Sequence, residues 1–151
     1  GRLHLAGHSL GGAVSVLAAE AAGAASLIVL ASDVTLRFEK TLRPLFDRAL
    51  ADGAVTFDPG DGVPRKLTRA FVEDLAKHDG LAAAASFPGP LLAIHGDRDA
   101  LVPVEVSKLL AGKLGSRARV EVVPGGGHLL SRQEDRAVIR DQVLSFLAGK
   151  S

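Results

Sequence analysis

At 151 residues the chain has the length of one domain and enough material to bury a core. Its 18 basic and 17 acidic residues leave a net charge of +1, which gives no electrostatic case for nucleic acid or an anionic membrane surface as partner. No apolar run approaches the roughly 20 residues of a membrane span, and the absence of cysteine excludes disulfides and thiolate metal sites.

Arg2-Leu3-His4-Leu5 alternates like a short strand and leads into Ala6-Gly7-His8-Ser9-Leu10-Gly11-Gly12. The G-x-S-x-G pattern reads as a nucleophile elbow, a sharp strand-to-helix turn that holds the serine hydroxyl out of the fold. Gly7 and Gly11 are expected to flank Ser9 because a Cβ at either place would collide with backbone. Leu10 to Ala24 is alanine-rich and predicts a helix of about four turns, with Gly23 as its stop. Ser26-Leu27-Ile28-Val29-Leu30-Ala31-Ser32 and Pro90-Leu91-Leu92-Ala93-Ile94-His95-Gly96 are continuous apolar runs. Such runs suit strands covered on both faces of a parallel sheet. Ala118-Arg119-Val120-Glu121-Val122-Val123 alternates, as a strand nearer an edge would.

Pro103 is placed to begin a helix at the position where its missing N–H costs nothing. Val106, Leu109, Leu110 and Leu114 are expected to be its buried stripe. Ser131-Arg132-Gln133-Glu134 reads as a capping box for a final helix, with Ile139, Val143, Phe146 and Leu147 as its apolar face. Thr35 to Phe87 interrupts this alternation and is too long for a structureless connection. Within it Phe38, Leu42, Leu45, Phe46 and Ala49 recur at helical spacing. Gly53 to Asp58 reads as extended, then Pro59-Gly60-Asp61-Gly62 as a turn. Leu67, Phe71 and Leu75 predict another helix, and Ala82 to Ala85 is the one low-complexity tract. The expected architecture is α/β with a mainly parallel sheet and flanking helices. Residues 1–34 and 89–151 form its core, and residues 35–88 a small helical cap. Phe38, Phe46, Phe57, Phe71 and Phe87 all fall in that insertion. They are expected to pack it onto the body, or in part to line an apolar site beside Ser9.

Three residues carry the chemistry. Serine alone is a poor nucleophile and needs an imidazole to take its proton and a carboxylate to hold that imidazole in one tautomer. Asp99 lies just past the strand ending at His95-Gly96, and His128 just past the strand ending at Val123. Residues beyond the carboxyl ends of neighbouring parallel strands converge on one edge of the sheet, where the Ser9 elbow also sits. Asp97 is the rival for the acid. A phosphate-binding helix start is the competing account of the elbow. The Gly-Lys-Ser/Thr of a Walker loop is missing, and so is the G-x-G-x-x-G of a dinucleotide fold. His4, His8, His78 and His95 show no metal-ligand spacing and are expected to be structural or exposed. No cofactor or metal is expected.

Gly7-His8-Ser9-Leu10-Gly11-Gly12, His95-Gly96-Asp97-Arg98-Asp99 and Pro124-Gly125-Gly126-Gly127-His128 together resemble the signature segments of the α/β-hydrolase superfamily. The finer likeness is to small-capped carboxylesterases and the serine-aminopeptidase-like group. The resemblance runs the length of this chain but covers only the C-terminal half of the family's fold. It implies Asp99 rather than Asp97 as the acid, the backbone N–H of Leu10 as an oxyanion donor, and a cap where residues 35–88 lie. It also implies that the family's first strands, and the loop carrying the second oxyanion donor, precede Gly1. A chain without methionine that opens on a core-like strand is accordingly expected to be a piece of a longer protein. No signal peptide is visible, and the cytoplasm is the expected location. The expected activity is serine-dependent cleavage of a small-molecule carboxylic ester through an acyl-enzyme. The alternatives are the same triad acting on amide, thioester or carbon–carbon bonds, or a non-catalytic binding protein or inactive fragment.

Overall fold

The apolar runs become the centre of a parallel sheet. The computed structural model describes residues 1–37, 42–58 and 62–149. Phe38 and the turn residues Pro59, Gly60 and Asp61 lie outside them. The chain runs β1 (His4–His8), α1 (Leu10–Ala18), β2 (Ser26–Leu30), α2 (Arg43–Asp52), β3 (Ala54–Phe57) and β4 (Arg65–Thr68). It continues α3 (Arg69–Leu75), α4 (Gly80–Ser86), β5 (Leu91–Gly96), α5 (Glu105–Leu114), β6 (Ala118–Val123) and α6 (Gln133–Leu147). Two compact units result: Gly1–Thr35 with Gly80–Ser151, and Leu36–Asp79.

In the first unit β1, β2, β5 and β6 form a four-stranded sheet in that order, every neighbouring pair parallel. Successive side chains on a strand point to opposite faces. Leu27, Val29, Leu91 and Ala93 therefore pack on one face with Val16 of α1, Ala84 of α4 and Leu110 of α5. Ile28, Leu92 and Ile94 pack on the other with Ile139, Val143 and Phe146 of α6. Each fully buried leucine or isoleucine here contributes about 1.5–3 kcal/mol relative to exposure. The alternating segment 118–123 is the outer strand β6, as its pattern predicts.

The second unit packs α2 and α3 with an antiparallel pair, β3 and β4. Gly53 ends α2 at φ +88°, where a side chain would be strained. The Thr68 hydroxyl accepts from the Phe71 N–H and caps α3.

Several expectations are corrected. Leu67 lies in β4, not in a helix with Phe71 and Leu75, because four residues are too few for strand alternation to stand out. The alanine tract forms α4, and Ala84 and Phe87 are buried in the sheet core of the first unit. The inserted unit thus ends at Asp79 rather than at residue 88, and Phe87 is a core residue. The first helix ends at Ala18; the chain then turns, with Gly23 at φ +63°, instead of remaining helical to Ala24. Pro103 does not open α5, which starts two residues later after a turn closed by the Val106 N–H on the Pro103 carbonyl. Leu109 and Leu147 point to solvent. The N-cap of α6 is Arg132, whose backbone N–H and guanidinium both donate to the Asp135 carboxylate, not Ser131 with Glu134. Arg132 also donates to the Pro124 carbonyl, so tertiary anchoring selects the cap.

Candidate active site

Ser9 stands between the end of β1 and the start of α1 with φ 54° and ψ −125°. Such a conformation costs a non-glycine residue of order 1–3 kcal/mol and persists only where its surroundings hold it. Here the Ser9 N–H donates to the Leu30 carbonyl at 2.8 Å, tying the elbow to the end of β2. The expected crowding is real at Gly7, whose Cβ would sit 2.1 Å from the Gly11 carbonyl oxygen. At Gly11 the expectation fails, since a side chain there would meet open space. The second tight position is Gly12, where a Cβ would press to 2.7 Å on the Ser32 side chain. Leu10 is the first residue of α1, where N–H groups have no partner within the helix.

The loops after β5 and β6 are fastened together. A Cβ on Gly96 would lie 2.1 Å from the Gly126 carbonyl oxygen, so only glycine allows the two backbones to meet. The Arg98 N–H donates to that same carbonyl at 2.9 Å. The Asp97 carboxylate accepts from the Gly125 N–H at 2.6 Å. Asp97 therefore holds the second loop, and Asp99 is left to face the histidine.

The three sequence-predicted side chains meet. His128 Nδ1 lies 2.9 Å from Asp99 Oδ2, and His128 Nε2 lies 3.0 Å from Ser9 Oγ. A carboxylate only accepts, so Nδ1 carries the hydrogen and donates it. Nε2 is then free to accept from the Ser9 hydroxyl. The Asp99 side chain is fully buried, and that of His128 is 11% exposed. Burial by itself raises a carboxyl pKa. Hydrogen bonds from His128 and the Val102 N–H, with the His95 ring beside the carboxylate, outweigh it and hold Asp99 well below the ordinary carboxylate range.

Two further histidines belong to this arrangement, where the sequence alone reads both as structural or exposed. His8 Nε2 donates to the His128 carbonyl at 2.7 Å, with the two rings 5.1 Å apart. His95 is fully buried, 3.3 Å from Asp99 Oδ2. A histidine inside an otherwise apolar strand run was the available signal, since a buried imidazole requires partners. His4 pairs with Ser26, and His78 with Asp74 on an exposed surface. Among the described residues no cluster of His, Asp or Glu could hold a metal ion.

A parallel α/β sheet that converges a strained serine, an imidazole and a buried carboxylate at its strand ends defines a class of protein, and comparison with known proteins agrees with it. The chain belongs to the alpha/beta hydrolase family, whose family model matches residues 1–141. It is similar to the monoacylglycerol lipase of Mycolicibacterium smegmatis, at 35% identity over 44% of this chain and 24% of that protein. It is also similar to the dihydrolipoyllysine-residue acetyltransferase component of the acetoin cleaving system of Pseudomonas putida. That match is 28% identical over 97% of this chain and 45% of that protein. Among solved structures, Est1E from Butyrivibrio proteoclasticus superposes with a TM-score of 0.78 at 25% identity, covering 99% of this chain and 62% of that one. The chain thus spans less than half the length of these two curated relatives.

Proposed function

We propose that the protein is a cofactor-independent serine hydrolase that cleaves carboxylic esters of small or medium size. The observation that carries this reading is the unbroken string from Ser9 Oγ through His128 to Asp99, at 3.0 and 2.9 Å. Ser9 Oγ attacks the ester carbonyl carbon while His128 Nε2 takes its proton. The tetrahedral oxyanion accepts a hydrogen bond from the Leu10 N–H. Its collapse expels the alcohol, which receives the proton from His128, and leaves Ser9 acylated. Water then attacks the acyl carbon with His128 again as base, releasing the acid and restoring Ser9. Asp99 holds the imidazole in the productive tautomer throughout and stabilises its charged form. The unit Leu36–Asp79 falls within the stretch of sequence, residues 35–88, for which the resemblance implies a cap, and we assign substrate choice to it. The lipase name of one relative, and a structure of Est1E with ferulic acid bound, support an ester as the substrate class.

A second reading is transfer of the same acyl group to an acceptor other than water, supported by the acetyltransferase name of a relative. Product analysis with added alcohols or thiols separates the two. The primary test is labelling of the full-length protein by a fluorophosphonate, together with hydrolysis of a p-nitrophenyl ester. Both activities should be present in the wild type and absent from Ser9→Ala. A serine-independent signal would reject the reading.

A further inference from the structure

We infer that His95 is a positioning residue for Asp99, and that Ser107 sets His95 in turn; the inference rests on the hydrolase reading of the same site. His95 and Asp99 are both 0% exposed at their side chains. The Ser107 hydroxyl, carried on α5 and likewise buried, lies 2.8 Å from His95 Nδ1. His95 Nε2 lies 2.9 Å from the Val102 carbonyl oxygen and 3.3 Å from Asp99 Oδ2. Neither of these oxygens carries a hydrogen, so Nε2 is the protonated nitrogen; its N–H donates to the Val102 carbonyl, with Asp99 Oδ2 beside it. Nδ1 then presents a lone pair, and Ser107 donates to it.

The consequence falls on the carboxylate. Asp99 Oδ1 accepts from the Leu101 and Val102 N–H groups, both at 2.8 Å. Oδ2 is approached by two imidazoles, His128 at 2.9 Å and His95 at 3.3 Å. Leu101, Val102 and His128 hold the carboxylate by hydrogen bonds at both oxygens, and His95 sets its Nε2 against Oδ2 while fixing the Val102 peptide through its carbonyl. Every hydrogen in the string has one allowed direction: Ser107 to His95, His95 to the Val102 carbonyl, the Val102 N–H and His128 to Asp99, and Ser9 to His128. An apolar side chain would fill the volume of His95 without the cost of burying a polar ring. What it would not do is hold the Val102 peptide, and with it Asp99, in place for the His128 N–H.

The test counts reactive serines by fluorophosphonate titration in the full-length protein, then measures kcat per titrated serine and KM for a p-nitrophenyl ester. His95→Leu should lower kcat per titrated serine about a hundredfold at little changed KM, the scale of a small misplacement of a reacting group. His95→Gln, whose amide N–H can reach the Val102 carbonyl, should recover roughly tenfold of that loss, and Ser107→Ala should lower kcat roughly tenfold. A structural filler predicts otherwise: wild-type kcat per titrated serine in Ser107→Ala and in His95→Leu, with only the melting temperature reduced. That result overturns the inference. Should His95→Leu not fold, wild-type kcat per titrated serine in Ser107→Ala overturns it equally. Failure of the parent reading looks different, because wild-type protein would then take no label or Ser9→Ala would keep it.

Discussion

Asp97 and Asp99 stand two residues apart on one loop, yet each carboxylate meets a different partner, the Gly125 N–H at 2.6 Å and the His128 ring at 2.9 Å. Asparagine at the two positions should therefore behave differently. In Asp99→Asn the amide N–H₂ can face His128 Nδ1 and push the ring hydrogen to Nε2, where it can no longer accept from Ser9. We expect kcat to fall by about four orders of magnitude. Asp97→Asn keeps a carbonyl oxygen for the Gly125 N–H and should stay within about tenfold of wild type. Steady-state kinetics on both variants checks the assignment. The Asp99 carboxyl also links stability to pH. Its folded pKa is depressed, so its contribution is full above the ordinary carboxylate value of about 4 and is lost as pH falls toward the folded value. Urea midpoints between about pH 5 and 2 should fall more steeply for wild type than for Asp99→Asn. The sequence alone left Asp97 as a rival; the hydrogen bond to Gly125 removes it. His95 was not legible as a partner of the site, because a strand run conceals which helix and which loop its two ring nitrogens will meet.

Between elements, the decisive contact is backbone on backbone where the loop after β5 touches the loop after β6. Gly96→Ala would force a methyl group against the Gly126 carbonyl, which as backbone cannot swing aside. Separating the loops should cost about 3 kcal/mol of stability. It should also lower kcat, because Asp99 and His128 sit on opposite sides of the seam. Urea denaturation and kinetics on the same preparation test the two effects together. Element existence was legible wherever an apolar run or a helical period was long: β2, β5, α5 and α6 are all present, with the starts of the two helices shifted. The errors share a cause. β4 has four residues, α4 is an alanine run without polar contrast, and the cap of α6 is chosen by an anchor on Pro124. In each case the local pattern was too short or too uniform, and a partner distant in sequence decided the outcome.

Over the whole molecule, the site belongs to one compact unit and the inserted residues to another. Gly1–Thr35 with Gly80–Ser151 carries Ser9, Asp99 and His128, whereas Leu36–Asp79 carries none of them. Exchanging residues 36–79 for the insertion of a related hydrolase should leave fluorophosphonate labelling of Ser9 in place. The ranking of acyl chain lengths in a p-nitrophenyl ester series should change. Labelling lost while the protein remains folded would place part of the machinery in the inserted unit. An unchanged ranking would remove substrate choice from it. No helix among the described residues is long and apolar enough to cross a membrane.

The sequence by itself determined the α/β class, the strand segments that matter, and Ser9 and His128 as the candidate reacting residues, with Asp97 or Asp99 as their acid. Buried parallel strands must be apolar on both faces, and their carboxyl ends must share one edge, so these features are written in composition and spacing. Only the tertiary structure decided which aspartate faces His128, which glycine of the elbow is crowded beside Gly7, and that Phe87 belongs to the sheet core. It alone brought His95 and Ser107 behind the acid. Those outcomes depend on hydrogen-bond direction and close approach between residues far apart in the chain, which no local pattern records.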